Sequence, residues 1–105
     1  MIIQVNSDNH ITADAALTEQ VDAAVRSAVQ YVSDHITRIE VHLSDENGEA
    51  KSGADDKRCQ LEARLAGRQP IVVSHHAATV EQSVSGAAGK LKRSLDSILG
   101  RLSTH

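Results

Sequence analysis

Aromatic residues are almost absent from this chain. Among its 105 residues there is no Phe or Trp, and Tyr31 is the only Tyr. The core must therefore be built from Val, Ile, Leu and Ala. Domains that bind single-stranded nucleic acid without sequence preference stack successive bases on several aromatic side chains. The composition argues against a domain of that kind.

Cysteine and long apolar runs are scarce as well. Cys59 is the single cysteine, so an internal disulfide is excluded. The N-terminal stretch MIIQVNSDNH has neither a basic leader nor a long apolar run. No segment approaches the roughly 20 apolar residues that cross a membrane. We therefore expect a cytoplasmic protein without a membrane partner, and the length predicts a single domain over residues 1–105.

Charge is divided unevenly along the chain, although the net charge is only −3. Residues 1–56 carry 11 acidic and 3 basic side chains, whereas residues 57–105 carry 3 acidic and 8 basic ones. Such a division can present one acidic and one basic surface. The simpler alternative is that these charges only solvate the outer faces.

The first half of the chain predicts a strand, a helix and a second strand. Residues 1–6 are rich in β-branched side chains and favour a strand. From about Ala13 to Ser33 the apolar residues recur at spacings of three and four, which predicts a helix with Thr12 as its N-cap. Strict alternation over Ile36–Ser44 predicts a strand that is buried on one face, and the charged, glycine-containing residues 45–56 predict a loop.

Two further strands are predicted in the second half. Alternation over Lys57–Ala66 places Cys59 on the inward face as a small buried side chain. Residues 67–70 predict a turn, and Ile71–His76 predicts the last strand. In that strand either Ile71, Val73 and His75 or Val72, Ser74 and His76 face the core.

The segment from Thr79 to the C-terminus predicts a second helix. Thr79, with Gln82 three residues later, is typical of a capping box. The apolar residues at spacings of three and four form one stripe, Val84, Ala87, Ala88, Leu91, Leu95, Ile98 and Leu102. The basic residues outside this stripe are Lys90, Lys92, Arg93 and Arg101.

The element order β-α-β-β-β-α predicts an α+β fold. The three later strands should form an antiparallel meander, with the first strand paired at an edge. Each helix has one apolar stripe, so both should pack on the single apolar face of the sheet. We therefore expect a two-layer sandwich of a four-stranded sheet and two helices, with the other face of the sheet exposed.

The residue pattern favours neither a metal site nor catalysis. His75 and His76 are adjacent on a predicted strand and point to opposite faces, and no Cys or carboxylate has a convincing ligand spacing. No Ser, His and Asp form a nucleophile motif, and Gly86 and Gly89 lie within a helix instead of a phosphate loop. We expect no enzymatic activity, no cofactor and no small-molecule substrate.

Four stretches of the chain resemble one known family. They are IIQVNSDNHIT, RIEVHLSDENG, DKRCQLEARLAG and QPIVVSHHAATVEQSVSGAAGKLKRSLDSIL. In this order and at this length they resemble the ribosome hibernation-promoting factors, also called protein Y, ribosome-associated inhibitor or sigma-54 modulation protein. The resemblance covers nearly the whole chain and implies a short form that lacks the long C-terminal extension of other members.

The resemblance implies a translation inhibitor that binds the small ribosomal subunit when growth slows. Family members occupy the channel for messenger and transfer RNA, and they contact ribosomal RNA through basic residues. Carried over to this chain, the basic positions of the final helix are Lys90, Lys92 and Arg93, with Arg101 further along. Lys and Arg there would neutralise phosphates. Arg58, Arg64 and Arg68 would extend this patch along the sheet.

The sequence departs from the family where the final helix reads SLDSILGRL in place of further lysines. The alternative is therefore a protein-interaction module of the same fold with weakened RNA binding. Such a module would form a homodimer through an open sheet edge or through the Leu99 side of the last helix. Direct binding of double-stranded RNA ranks last, since reading A-form RNA requires more basic residues than this helix has.

Overall fold

The computed structural model describes residues 1–9, 11–46 and 56–103, although the side chains of residues 101–103 are not described. The elements in chain order are β1 (Ile2–Ser7), α1 (Ala15–Val29), a 3₁₀-helix (Gln30–His35), β2 (Ile36–Asp45), β3 (Lys57–Leu65), β4 (Ile71–Ala77) and α2 (Val80–Ser103). The predicted order is confirmed. Most of the predicted loop over residues 45–56 lies outside the described residues. Within them, no helix is long and apolar enough to cross a membrane.

The four strands form one sheet in the order β1-β2-β3-β4. β1 is parallel to β2, whereas β2, β3 and β4 form an antiparallel meander. One row across the sheet shows the register, because Val41 pairs with Val5 and Leu61, and Leu61 pairs with Val73. The predicted meander and the edge position of β1 are confirmed.

The core lies between the sheet and the two helices. Alternate residues of β2 and β3 are fully or almost fully buried, as predicted, and they include Ile39, Val41, Leu43, Cys59, Leu61, Ala63 and Leu65. For β4 the first alternative is correct, since Ile71 and Val73 pack against the core while Val72 is 56% exposed. Burial of these aliphatic side chains on one face leaves the other face of the sheet open.

The predicted bounds of the first helix were wrong at both ends. Its N-cap is Asp14 and not Thr12, because the Asp14 carboxylate accepts a hydrogen bond from the Leu17 N–H at 2.9 Å. The α-helix ends at Val29, and the chain continues as a 3₁₀-helix with non-helical dihedral angles at Val32. Ser and Asp side chains, which follow at positions 33 and 34, favour turns over helix interiors.

The second helix begins as predicted, because the Thr79 hydroxyl accepts a hydrogen bond from the Gln82 N–H at 3.1 Å. Its buried stripe differs at the C-terminal end. Leu99 is only 5% exposed and belongs to the core, while Ile98 is half-buried. Leu91, Leu95 and Leu99 lie four residues apart and so follow the same face of the helix. The prediction that the Leu99 side offers a free apolar edge was wrong.

Ion pairs hold the ends of β2 and β3 together. The ammonium group of Lys57 lies 3.2 Å from the Asp45 carboxylate and 3.1 Å from the Asp56 carboxylate. These hydrogen bonds, first to Asp56 and then to Asp45, raise the pKa of Lys57. The N–H of Glu46 also donates to the carbonyl of Asp56 at 2.8 Å. The C-terminal end of β2 and the N-terminal end of β3 are therefore fixed beside each other.

Candidate nucleic-acid interface

The basic residues of the predicted interface lie on two different surfaces. Lys90, Lys92 and Arg93 are exposed on α2, within the helical layer. Arg58 and Arg64 alternate with the buried residues of β3 and therefore lie on the opposite, open face of the sheet. The sheet arginines do not extend the helix patch, contrary to the prediction. The alternation in the sequence already implies this separation. Both helices pack on the apolar face of the sheet, so the arginines that alternate with buried residues must lie on the other face.

Lys90 reaches from α2 to the edge of the sheet. Its ammonium group donates a hydrogen bond to the carbonyl oxygen of Ser74 in β4 at 2.8 Å. β4 is an edge strand, so this contact covers part of its free edge. The Lys90 side chain is nevertheless exposed, and its charge remains accessible from solution.

Lys92 lies on the opposite flank of α2 and contacts Tyr31. Its ammonium nitrogen is 5.6 Å from the centre of the Tyr31 ring, a cation–π distance. The Tyr31 hydroxyl donates to the Asp96 carboxylate and lies 3.4 Å from the Lys92 carbonyl oxygen. Burial, and then the hydrogen bond and charge of Asp96, raise the pKa of Tyr31 to about 12.

The remaining predicted basic residues are dispersed. Arg93 is exposed on α2, one turn beyond Gly89. Arg101 lies within α2, but its side chain is outside the described part of the structure. Arg68 is exposed in the turn between β3 and β4, where Gly67 adopts a positive φ of 72°. Arg68 therefore lies in a turn, outside both β3 and α2.

On the open face of the sheet, arginines are paired with carboxylates. Arg38 lies 3.0 Å from Glu40, and Arg64 lies 3.7 Å from Glu62. The hydrogen bond from Arg38 lowers the pKa of Glu40 against the opposing effect of desolvation. Arg58 donates to the Gln60 side chain at 2.7 Å. This face therefore presents a nearly balanced set of charges.

The cations of α2 differ from those of the sheet. Over the described residues, no carboxylate lies within 4.0 Å of the side-chain nitrogens of Lys90, Lys92 or Arg93. Three cations without carboxylate partners attract phosphates more strongly than arginines that are already paired. Of the two surfaces, α2 is the better candidate for a nucleic-acid interface.

The histidines that the structure describes, His35, His42, His75 and His76, do not form a common site. His75 pairs with Cys59 on the inward face and His76 pairs with Arg58 on the open face, as predicted from their adjacency. His76 lies 2.7 Å from Glu46. Within residues 1–9, 11–46 and 56–103, no three His, Cys, Asp or Glu side chains could hold a metal. Burial raises the pKa of Cys59 to about 12, which keeps its thiol protonated and unreactive at neutral pH.

Together these features define a small two-layer α+β domain with a cationic helix surface. Residues 3–103 match the family described as sigma 54 modulation protein / S30EA ribosomal protein. The match spans almost the whole sequence, and the chain belongs to this family. The resemblance found in the sequence is thereby confirmed. No curated protein matches the chain.

The fold is shared by several solved structures, among them the following two. A ribosomal subunit interface protein from Coxiella burnetii superimposes with a TM-score of 0.78 at 18% identity, covering 95% of this chain and 99% of that one. The N-terminal domain of Protein Y from Thermus thermophilus gives a TM-score of 0.72 at 17% identity, covering 93% of this chain and 99% of that one. At such low identities these similarities establish the architecture.

Proposed function

We propose that this protein is a non-enzymatic, cytoplasmic stress factor that binds the small ribosomal subunit and inhibits translation. The observation that carries the proposal is the family match over residues 3–103. The structural neighbour described as a ribosomal subunit interface protein supports a ribosomal partner. The proposed activity is occupancy of a binding surface, so it requires no cofactor and no small-molecule substrate.

The α2 surface supplies the proposed contacts to ribosomal RNA. Lys90 and Lys92 lie on opposite flanks of the helix, where they contact β4 and Tyr31, and Arg93 is exposed on the same helix. Cations spread in this way suit a broad phosphate surface and not insertion into one groove. Binding through phosphates is independent of sequence and weakens steeply with salt.

Sedimentation of cell lysates tests the proposal. Lysates from stationary cells are separated on sucrose gradients at low salt, and the fractions are probed for the protein. We expect it to sediment with the small subunit or with whole ribosomes and to dissociate as salt rises. The proposal fails if the protein stays at the top of the gradient at low salt.

Inhibition needs a separate measurement. Purified protein is added to a cell-free translation reaction with a fixed amount of ribosomes, and initiation on a reporter messenger RNA is followed. We expect initiation to decrease as the protein approaches the ribosome concentration. Binding without inhibition would retain the ribosomal partner and exclude the inhibitory role.

The alternative is a protein-interaction module that dimerises through the edge of β1. It is favoured by the paired charges on the open face and by Ile2, which is 58% exposed on this edge strand. Analytical ultracentrifugation of the purified protein tests it, with Ile2→Lys as the variant. A dimer that Ile2→Lys dissociates, together with no ribosome association, would favour this alternative over the first proposal.

A further inference from the structure

A cavity lies beside Tyr31, the single tyrosine of the chain. It has a volume of about 560 Å³, and its lining includes Tyr31, Val32, His35, Leu95 and Asp96. Small-molecule sites are typically about 300–1,000 Å³, mostly apolar, with a few fixed polar groups. The cavity has this composition, since its lining is mainly apolar and includes the Asp96 carboxylate and the His35 imidazole.

The Tyr31 ring is held in place although it is 53% exposed. Tyr31 lies on the 3₁₀-helix that follows α1, and its hydroxyl bonds to Asp96 of α2 while its ring contacts Lys92. A second concavity, between α1 and α2, includes Lys92 but not Tyr31. Lys92 therefore lies between the two concavities. A ring fixed in this way loses little conformational entropy when another ring stacks on it.

We propose that this cavity binds one unpaired base of an RNA strand, with the base stacked on Tyr31. Asp96 accepts a hydrogen bond from the exocyclic amine of the base, and Lys92 neutralises the adjacent phosphate. This inference rests on the proposed function for the source of the RNA. It adds a contact to a base, whereas the α2 cations contact phosphates only.

The combination of groups argues for a nucleobase as the occupant. A base has a flat π-face that can stack on the Tyr31 ring and an amine that can donate a hydrogen bond to the Asp96 carboxylate. The phosphate next to that base can contact the Lys92 ammonium group. Adenine, guanine and cytosine carry an exocyclic amine, but uracil does not. The site should therefore prefer adenine to uracil at equal charge.

The single tyrosine makes the site directly observable. The ring-proton NMR signals of Tyr31 are followed while the full chain is titrated with an adenine RNA hexamer, a uracil hexamer and an abasic hexamer of the same charge. We expect an upfield shift from the adenine hexamer, a smaller shift from the uracil hexamer and none from the abasic one. Equal shifts from all three, or no shift from the adenine hexamer, would overturn the inference.

Variants separate the ring from its hydroxyl. Tyr31→Leu should weaken binding of the adenine hexamer by about tenfold, as expected for loss of one stacked base. Tyr31→Phe should retain most of the affinity, because it keeps the ring. Gln30→Leu changes an exposed neighbour on the same 3₁₀-helix and should have no effect. Equal affinity of Tyr31→Leu and wild type would contradict the stacking contact.

Adenosine monophosphate and ribosomes complete the test. The mononucleotide at the same base concentration should shift the ring signals less than the hexamer, because it lacks the neighbouring phosphates. If the Tyr31 ring signals shift with the adenine hexamer but the protein does not sediment with ribosomes, the proposed function fails and the base site is retained. If it sediments with ribosomes but shows no shift, the base site alone is overturned.

Discussion

The imidazole ring of His75 occupies the space over Gly86 where a β-carbon would lie. His75 is on the inward face of β4, and Gly86 is on the helix that packs over this strand. The missing side chain at Gly86 thus allows α2 to approach the sheet closely. Gly89, by contrast, faces only the Arg93 guanidinium, at 3.6 Å from the position of a β-carbon.

Gly86→Ala should destabilise the protein. Ala improves helix propensity by about 1 kcal/mol, but overpacking against the His75 ring costs about 1–3 kcal/mol. We expect a net decrease in the free energy of unfolding, measured by urea denaturation. Adding His75→Ala to this variant should recover stability, because the clash is removed.

Gly89→Ala is the matched control. Its β-carbon meets only the mobile end of Arg93, so the free energy of unfolding should rise by up to ~1 kcal/mol from helix propensity. If the free energy of unfolding falls in Gly86→Ala and rises in Gly89→Ala, Gly86 is the position where the helix approaches the sheet closely. Equal effects would contradict the role assigned to His75.

Asp14→Ala should remove the N-cap of α1. Its carboxylate bonds to the Leu17 N–H, and loss of such a cap typically costs about 1 kcal/mol. Thr12→Ala should change the free energy of unfolding by less than ~0.5 kcal/mol, because Thr12 is exposed and lies outside the cap. Thermal and urea denaturation of both variants distinguish the observed cap from the one predicted from sequence.

The fold was largely predictable because its sheet has one apolar and one polar face. Alternation over β2 and β3 predicts their buried residues, and it predicts their bounds to within one residue. The face of β4 was not predictable, since Val72 and Val73 are equally apolar and only tertiary packing decides between them. The end of α1 at Val29 was missed for a related reason, because Val32 continues the apolar spacing through the change to a 3₁₀-helix.

The candidate site was less predictable, since it depends on contacts between distant residues. Among the described residues, no carboxylate lies near the α2 cations and Arg64 is paired with Glu62, and both facts depend on side-chain positions in space. The scarcity of aromatic residues argues against base stacking, and nothing in the sequence marks Tyr31 as an exception. Its place at the end of the first helix gave no signal of its contact with Asp96, which is 65 residues away in sequence.

Tyr31 should ionise near pH 12 in the folded protein, above its usual value of 10. It is the only tyrosine, so tyrosinate absorbance reports on it alone, and ellipticity measured in parallel shows that the protein remains folded. Because the pKa is raised in the folded state, this contribution to stability is complete below about pH 10 and is lost as pH rises toward 12.

Asp96→Asn should lower the pKa of Tyr31 only part of the way to 10. Burial is the larger cause of the shift, and the hydrogen bond and charge of Asp96 are the smaller ones. Glu19→Gln removes one negative charge from an exposed position on α1. It should leave the midpoint of the Tyr31 titration unchanged. A midpoint that falls equally in both variants would indicate a general charge effect.

Charge reversal should separate the two basic surfaces. Wild-type affinity for ribosomes should fall roughly 20- to 40-fold between 50 and 200 mM salt if three cations contact phosphates. Lys90→Glu combined with Arg93→Glu should abolish association at low salt. This outcome is measured by pelleting ribosomes through a sucrose cushion across the salt series.

Arg58→Glu combined with Arg64→Glu changes the net charge by the same amount on the open face. We expect this pair to retain association, because the open-face arginines already have polar or acidic partners. Circular dichroism confirms that both double variants are folded. If the sheet pair abolishes binding and the helix pair does not, the open face is the interface.

The bond between Lys90 and Ser74 also limits how copies of this protein can assemble. A lysine at the edge of a sheet disfavours the addition of another strand, and here its ammonium group bonds to a carbonyl of β4. Addition of a strand at β4 is therefore disfavoured relative to addition at β1. Two copies joined at β1 would use the available edge of each and form a closed pair, whereas a fibre requires two free edges in every copy. At high concentration this one contact would favour closed pairs over open-ended polymers.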